Sequence, residues 1–438
     1  MAVYIHGKKD KMNGYSSTRR QRKMEQLDFL LDAEIPDSGW KFEAELSCLR
    51  YSHNGPADID GFIKSKYGLI YKKLKELGYM YEEDPTGAPI TKYYEKMGLN
   101  REMFENEDYY TRWLLISPKE IEKEGKNGRK FPLVIVNHGG SHAIGEDEFV
   151  CGMPFVAAKE RIMVMYAQDT RWTNTDRILN IIAEKYPLDT ERIYMIGHSA
   201  GGYQVTSTYF RIPSRLTAVA PCGCDIWRDY DSFNVPYTEE EIKKLTDTFV
   251  PFMQIVGQYE ASGFAPVNNW HPRKDWGKER DMEPWKDPRR DDDRDPTRIH
   301  GGRRRFSDMP VPPEGADIHE WMITRLNKRM HSLGCEERDA KTCISYLENP
   351  DTELHHVLGF YGDREKIEYL YGYKHYMADI YNKDGIDAFR YVVVENSPHC
   401  WPVTTGQLTW DFFKQFRRDR ATGKIVEEEY KNNDSQRE

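Results

Sequence analysis

The chain has 438 residues, 39% of them apolar and 31% charged, with a formal net charge of -9. That balance suits a water-exposed globular protein and argues against a nucleic-acid partner, because no long basic block offsets the acids and the nearest candidate, Arg303 to Arg305, lies in a stretch equally rich in acids. It argues against a membrane protein too, since no apolar stretch approaches the length of a bilayer span. The start, Met1 to Asp10, lacks the apolar core of a secretory leader, which fits a cytoplasmic protein or a secreted one whose leader has been removed. Seven cysteines, an odd number without paired spacing, fit reduced thiols. Cys222 and Cys224 read best as small buried residues at a strand end.

In chain order, residues 1–107 have mostly helical patterning. Arg19 to Leu31 and Ile59 to Leu77 repeat apolar positions three and four apart, and Gly78 stands at a plausible helix stop. No chemical motif falls there, and the segment reads as an accessory or capping region. Residues 108–260 read as the first part of an α/β core. Tyr110 to Ser117 suggests a strand. Phe131–Asn137 is a short apolar run rich in β-branched residues, the signature of a parallel strand buried on both faces. Ile162–Tyr166 repeats it, Thr175–Tyr186 is an amphipathic helix, and Arg192–Ile196 is the next strand. It runs into Gly197-His198-Ser199-Ala200-Gly201-Gly202, where a helix should begin. Leu216–Ala220 and Phe249–Val256 are further strands. Strand and helix in alternation imply a mostly parallel sheet with helices on both faces.

Residues 261–384 read as an insertion. Its first part, to about 318, is rich in Trp, Pro, Arg and Asp without periodicity, which suggests a lid or a binding loop. Its Trp residues are candidates for the walls of a pocket. Trp321–Leu333 and Tyr369–Tyr381 have helical spacing, whereas Leu354–Tyr361 makes a poor strand. Residues 385–420 return to the core, with a last strand at Ala388–Glu395 and a closing helix over Trp410–Phe416. Residues 421–438 read as a polar tail.

The chemistry concentrates at Gly197-x-Ser199-x-Gly201. A serine on a tight strand-to-helix turn projects its Oγ out of the sheet, and glycines must flank it where any Cβ would strike the neighbouring strand or helix. The pattern alone arises by chance about 0.15 times in a chain of this length. The strand before it and the helix after it are what single it out. The backbone N–H of Ala200, next after the nucleophile, and the Gly140–Ser141 part of the His138-Gly139-Gly140-Ser141 turn are the expected oxyanion donors.

A base should follow the serine. The later histidines are His271, His300, His319, His331, His355, His356, His375 and His399. His399 alone lies just past an apolar strand near the C-terminus, between Pro398 and Trp401. For the acid, Glu260 follows the strong strand Phe249–Val256 by three residues from Gly257, and Asp363 is the alternative. Strand quality favours Glu260. His198, beside the nucleophile, reads as structural. Nothing calls for a metal or a cofactor.

The run Tyr186-Pro187-Leu188-Asp189-Thr190-Glu191-Arg192-Ile193-Tyr194 into the elbow, the Pro-Leu-Val strand into His-Gly-Gly, and the His-x-Trp-Pro ending at His399 resemble the polyhydroxybutyrate-depolymerase and feruloyl-esterase group of α/β hydrolases. The resemblance covers about residues 110–260 and 385–416. It implies the α/β-hydrolase fold and hydrolysis of a small-molecule or oligomeric ester, a hydroxyalkanoate or a hydroxycinnamoyl sugar. That group usually carries Asp where this chain offers Glu260. Serine peptidases and non-catalytic relatives share the fold and are the alternatives.

Overall fold

The computed structural model describes residues 94–95, 97–104, 112–126, 128–139, 144, 151–229, 236–258, 260, 315–348, 352–370, 373–395, 397, 399, 401 and 404–431. The two segments expected to be helical, Arg19 to Leu31 and Ile59 to Leu77, the expected Gly140–Ser141 turn and most of the expected lid lie outside these residues.

The chain order of elements is β1 (Leu99–Phe104), β2 (Trp113–Pro118), α1 (Ile121–Glu124), β3 (Phe131–Asn137), α2 (Met153–Glu160), β4 (Met163–Ala167), α3 (Trp172–Lys185), β5 (Leu188–His198), α4 (Ala200–Arg211) and β6 (Ala218–Cys222). Then come α5 (Glu239–Asp247), β7 (Phe252–Gly257), α6 (Ile318–Ser332), α7 (Ala340–Glu348), α8 (Glu353–Leu358), β8 (Arg364–Leu370), β9 (Tyr373–Tyr381) and β10 (Asp387–Val394). Helix α9 (Thr405–Phe413) and a small hairpin, β11 (Phe416–Arg418) with β12 (Ile425–Glu427), close the chain.

Ten strands form one sheet in the order β1-β2-β4-β3-β5-β6-β7-β10-β9-β8. The inner strands from β4 through β3, β5, β6 and β7 to β10 run parallel, with antiparallel strands added at both ends. This is the α/β-hydrolase fold. Alternation along the strands divides the core in two. On β5, Ile193 and Met195 face one side with Ile178 and Leu179 of α3, Val205 and Tyr209 of α4 and Leu326 of α6. Tyr194 and Ile196 face the other with Met153 of α2 and Trp410 and Phe413 of α9. Both faces are thus covered, which is why the inner strands read as continuous apolar runs rather than as alternating ones.

The structure departs from the sequence expectations in four places. Tyr369–Tyr381 is not a helix. It spans the end of β8 and all of β9, which carry the sheet outward beyond β10. Leu354–Tyr361 holds not a strand but the short helix α8, opened by Thr352, whose Oγ1 accepts from His355 N at 3.1 Å, and stopped at Gly359 with φ 73°. Residues 421–431 of the expected tail contribute β12 and Tyr430, whose ring meets Trp410 edge-on at 5.6 Å. The closing helix begins earlier than expected, at Thr405.

Candidate active site

The turn between β5 and α4 lies at the C-terminal edge of the parallel sheet. Ser199 adopts φ 52° and ψ -116°, a left-handed conformation that costs a non-glycine residue on the order of 1–3 kcal/mol. Arg161 is the only other non-glycine residue with positive φ among the described residues. The turn is held by its neighbours: Ser199 N donates to Cys222 O of β6 at 2.9 Å, and Tyr203 N donates back to Ser199 O at 3.1 Å. A Cβ on Gly197 would come within 2.5 Å of Gly201 O, and one on Gly201 would strike the carbonyls of Asn137 and His138 at the end of β3. Neither obstacle is a flexible side chain, so both positions demand glycine.

Two loops bring partners to the serine. Strands β7 and β10 are adjacent and parallel, with Val394 in register with Gly257. The chain leaving β7 is tied down by Gln258 N donating to Val394 O at 3.0 Å and Glu260 N to Gly257 O at 3.2 Å. The chain leaving β10 is turned by Ser397 N donating to Val394 O at 3.3 Å. His399 and Glu260, 139 positions apart in sequence, therefore meet: His399 Nδ1 lies 2.8 Å from Glu260 Oε2. His399 Nε2 lies 2.9 Å from Ser199 Oγ. Glu260 is 1% exposed and His399 8%, whereas Ser199 is half-buried. Buried Tyr391 lies close enough that burial first, and then the Glu260 carboxylate, push its phenol well above the ordinary tyrosine range.

The alternative acid is elsewhere. One Asp363 oxygen accepts from Arg338 Nη2 at 2.9 Å and the other from Tyr381 N at 2.8 Å. The other described histidines from the sequence search have different partners too. His375 is fully buried against Thr404 Oγ1 at 3.1 Å, and His355 reaches Glu365 at 2.9 Å and stacks on Tyr346. His198 is buried, its ring 4.6 Å from that of His399 and stacked at 5.4 Å on Trp401. His138 secures the turn after β3, with Nδ1 at Gly139 O (2.8 Å) and Nε2 at Gln168 O (2.9 Å).

Sequence reasoning gave no role to Gly223. It has φ 58°, and a Cβ there would come within 2.8 Å of Glu260 Oε1 and 3.0 Å of His198 Nε2. Its position between two cysteines at the end of β6 was the available signal. Beyond it, Asp225 ties the loop to the first turn of α4. It accepts from Tyr203 Oη at 3.4 Å and pairs with Arg228 at 3.1 Å, and Arg228 stacks 4.1 Å over the Tyr203 ring. Burial raises the Asp225 carboxyl above its usual range against the pull of Arg228 and Arg325, and burial first, then Asp225, push the Cys224 thiol up to about 12. Such a thiol stays protonated and unreactive. All five described cysteines are buried and unpaired with one another.

Ala200 is the first residue of α4, so its N–H has no acceptor within the helix. His198, Glu260 and His399 are the one group among the described residues with three metal-type ligands, their atoms within 4.8 Å of one another. The two ring nitrogens of His399 already lie within hydrogen-bond distance of Ser199 and Glu260.

No protein-family model matches this sequence, and a search of curated proteins found no match either. Solved structures of similar fold include a thermostable esterase, 18% identical over 39% of this chain and 49% of that one, with a TM-score of 0.28. The matched part is about half of that esterase. An S-formylglutathione hydrolase from Agrobacterium tumefaciens is 13% identical over 38% of this chain and 78% of its own, with a TM-score of 0.30. The feruloyl esterase module from Clostridium thermocellum is 12% identical over 37% and 67%, with a TM-score of 0.29. Similarity at this level says nothing about the substrate of this chain, whose fold class follows from its own strand order. Among the described residues no helix is long and apolar enough to cross a membrane.

Proposed function

We propose that this protein is a carboxylic-ester hydrolase working through a Ser199–His399–Glu260 triad and an acyl-enzyme, on short acyl, hydroxyalkanoate or hydroxycinnamoyl esters. The observation that carries this is the continuous hydrogen-bonded line from Glu260 through His399 to Ser199, at 2.8 and 2.9 Å, ending on a serine in a strained turn. His399 Nε2 takes the hydroxyl proton as Ser199 Oγ attacks the ester carbonyl carbon. Glu260 holds the tautomer that makes this possible and stabilises the imidazolium that results. The tetrahedral oxyanion is met by the N–H of Ala200 and by the Gly140–Ser141 turn, each donor contributing about 3 kcal/mol. His399 then protonates the leaving alcohol. A water deprotonated by the same nitrogen releases the acid and restores Ser199. Every step is supplied by side chains and backbone of this chain.

The test uses a fluorophosphonate probe and a panel of p-nitrophenyl esters, feruloyl esters and aminoacyl amides. The expected result is one adduct on Ser199, ester turnover, and loss of both in Ser199→Ala. Ester turnover that survives in Ser199→Ala sinks the proposal. Turnover of the amides in preference to the esters would replace it with a peptidase.

A further inference from the structure

Strand β8 is the last of the ten-stranded sheet. One of its edges is bonded to β9, and among the described residues no strand pairs with the other. An open edge is a row of N–H and C=O groups ready to bond another strand, so proteins shorten it, bulge it, cover it or charge it. β8 is seven residues long and pairs with β9 over its whole length without a bulge. It also carries two of the three large apolar side chains exposed among the described residues, Ile367 at 39% and Tyr369 at 62%. Side chains alternate between the two faces of a strand. Glu365, Ile367 and Tyr369 therefore share one face, and Arg364, Lys366 and Glu368 the other.

We propose that the open edge of β8 pairs with β8 of a second copy of this chain, antiparallel, about a two-fold axis at Ile367. A symmetric antiparallel pair sets one residue opposite its own copy, because the groups facing the open edge come from every second residue. Three central registers are available. Centred on Lys366, the pair sets lysine against lysine. Centred on Glu368, it sets glutamate against glutamate. Centred on Ile367, it sets Lys366 opposite Glu368 of the second copy and Glu368 opposite its Lys366. All seven residues are then paired. Opposite charges placed across from one another stabilise a strand pair and like charges destabilise it. In the same register Ile367 meets its own copy, with Tyr369 of each copy on the diagonal, so the exposed apolar side chains cover one another. Lys366 and Glu368 are both well exposed, at 44% and 41%, and free to exchange their 2.7 Å contact along the strand for contacts across the axis. The sequence Arg-Glu-Lys-Ile-Glu-Tyr-Leu is self-complementary in this register, which fits a second copy better than an unrelated strand.

The experiment is sedimentation equilibrium of the full chain over a wide concentration series, with thermal melts to show that every variant is folded. The wild type should form a dimer. Lys366→Glu and Glu368→Lys, each reversing two symmetry-related pairs, should each weaken it about tenfold. The double variant Lys366→Glu/Glu368→Lys should restore wild-type affinity, and Ile367→Lys should give a monomer. A wild type that is monomeric throughout overturns the proposal; slow exchange in that monomer of the alternate amides of 364–370 that face away from β9 would mean that another part of this chain covers the edge. A dimer indifferent to the single charge reversals, or not rescued by the double reversal, overturns it as well.

Discussion

Replacing Glu260 with Gln keeps the length of the side chain and removes its charge. In the folded protein the Glu260 carboxylate is 1% exposed, and its Oε2 lies 2.8 Å from His399 Nδ1. A glutamine there has two options. With its carbonyl toward the ring it still accepts the Nδ1 proton but offers no charge to the imidazolium formed during attack. With its amide toward the ring it favours the other tautomer, which puts a proton between Nε2 and Ser199 Oγ and blocks the transfer. The equivalent change in a serine protease lowers turnover about 10⁴-fold, the remaining rate coming from the oxyanion hole and substrate binding. Glu260→Gln is therefore expected to lose about 10³- to 10⁴-fold in kcat, roughly 4–5.5 kcal/mol at about 1.36 kcal/mol per decade. KM should change much less, since the lost interaction matters mainly in the transition state. Glu260→Asp retracts the carboxylate by one methylene and opens the contact to about 4 Å, beyond hydrogen-bond reach, so it should fall between wild type and Gln. The assay is steady-state hydrolysis of a p-nitrophenyl ester, with a thermal melt to show that the variant is folded. A folded Glu260→Gln enzyme with kcat within about tenfold of wild type would refute the role given to this carboxylate.

Asp363→Asn should leave kcat close to wild type and lower the melting temperature, costing about 1–2 kcal/mol in urea unfolding, because it strips the partner from buried Arg338 while Asp363 itself is partly exposed. Gly201→Ala should abolish turnover and destabilise the fold together, since its Cβ meets backbone at the end of β3 rather than a side chain that moves; normal melting and activity would contradict the close packing of the elbow. Asp387 gives a pH prediction. Burial pushes its carboxyl up to about 7 against the pull of Arg390, whose Nη2 donates to it at 2.9 Å. The folded pKa lies above the unfolded one, so the stability linked to this proton is fully present below about pH 4 and is lost as the pH rises through 7, at no more than about 1.4 kcal/mol per pH unit. Asp387→Asn should remove that slope, so urea unfolding at pH 5 and pH 8 should favour the variant increasingly toward pH 8, and parallel curves would contradict the shift.

The parallel strands were legible in the sequence because both faces of the sheet are covered. β3 is buried at all seven positions and reads as an uninterrupted apolar run, and its bounds match the sequence expectation residue for residue. The same double burial hid β9. Residues 375–380 are all buried, between β8 and β10 in the sheet, so the period-two alternation of a strand is lost. The surviving pattern of Tyr369, Tyr373, Tyr376, Met377 and Ile380 happens to repeat at three and four, which is the spacing of a helix. α8 failed in the opposite sense: six residues make fewer than two turns, too few for periodicity to outweigh the pair of histidines inside it.

The site shows the same division. Ser199 was legible because everything that defines the elbow is local: a strand, two glycines and a helix within a few residues. The partnership of Glu260 and His399 is not local. Strand quality favoured Glu260, but strand quality says nothing about which strand lies beside which. The long excursion after β7 leaves the sheet through α6, α7 and α8 and comes back through β8 and β9. Only because it then lays β10 directly against β7, in parallel, do the two C-terminal ends open side by side. Had β9 taken that place, antiparallel to β10 as it is, the chain at the site end of the sheet would be entering the strand rather than leaving it, and His399 would follow a strand one place farther from Glu260. A spacing of about 4.8 Å per strand is already longer than the 2.8 Å contact tolerates without a rebuilt loop. The pairing of Glu260 with His399 is thus a consequence of sheet order, and sheet order is set by long-range packing that no window of sequence contains.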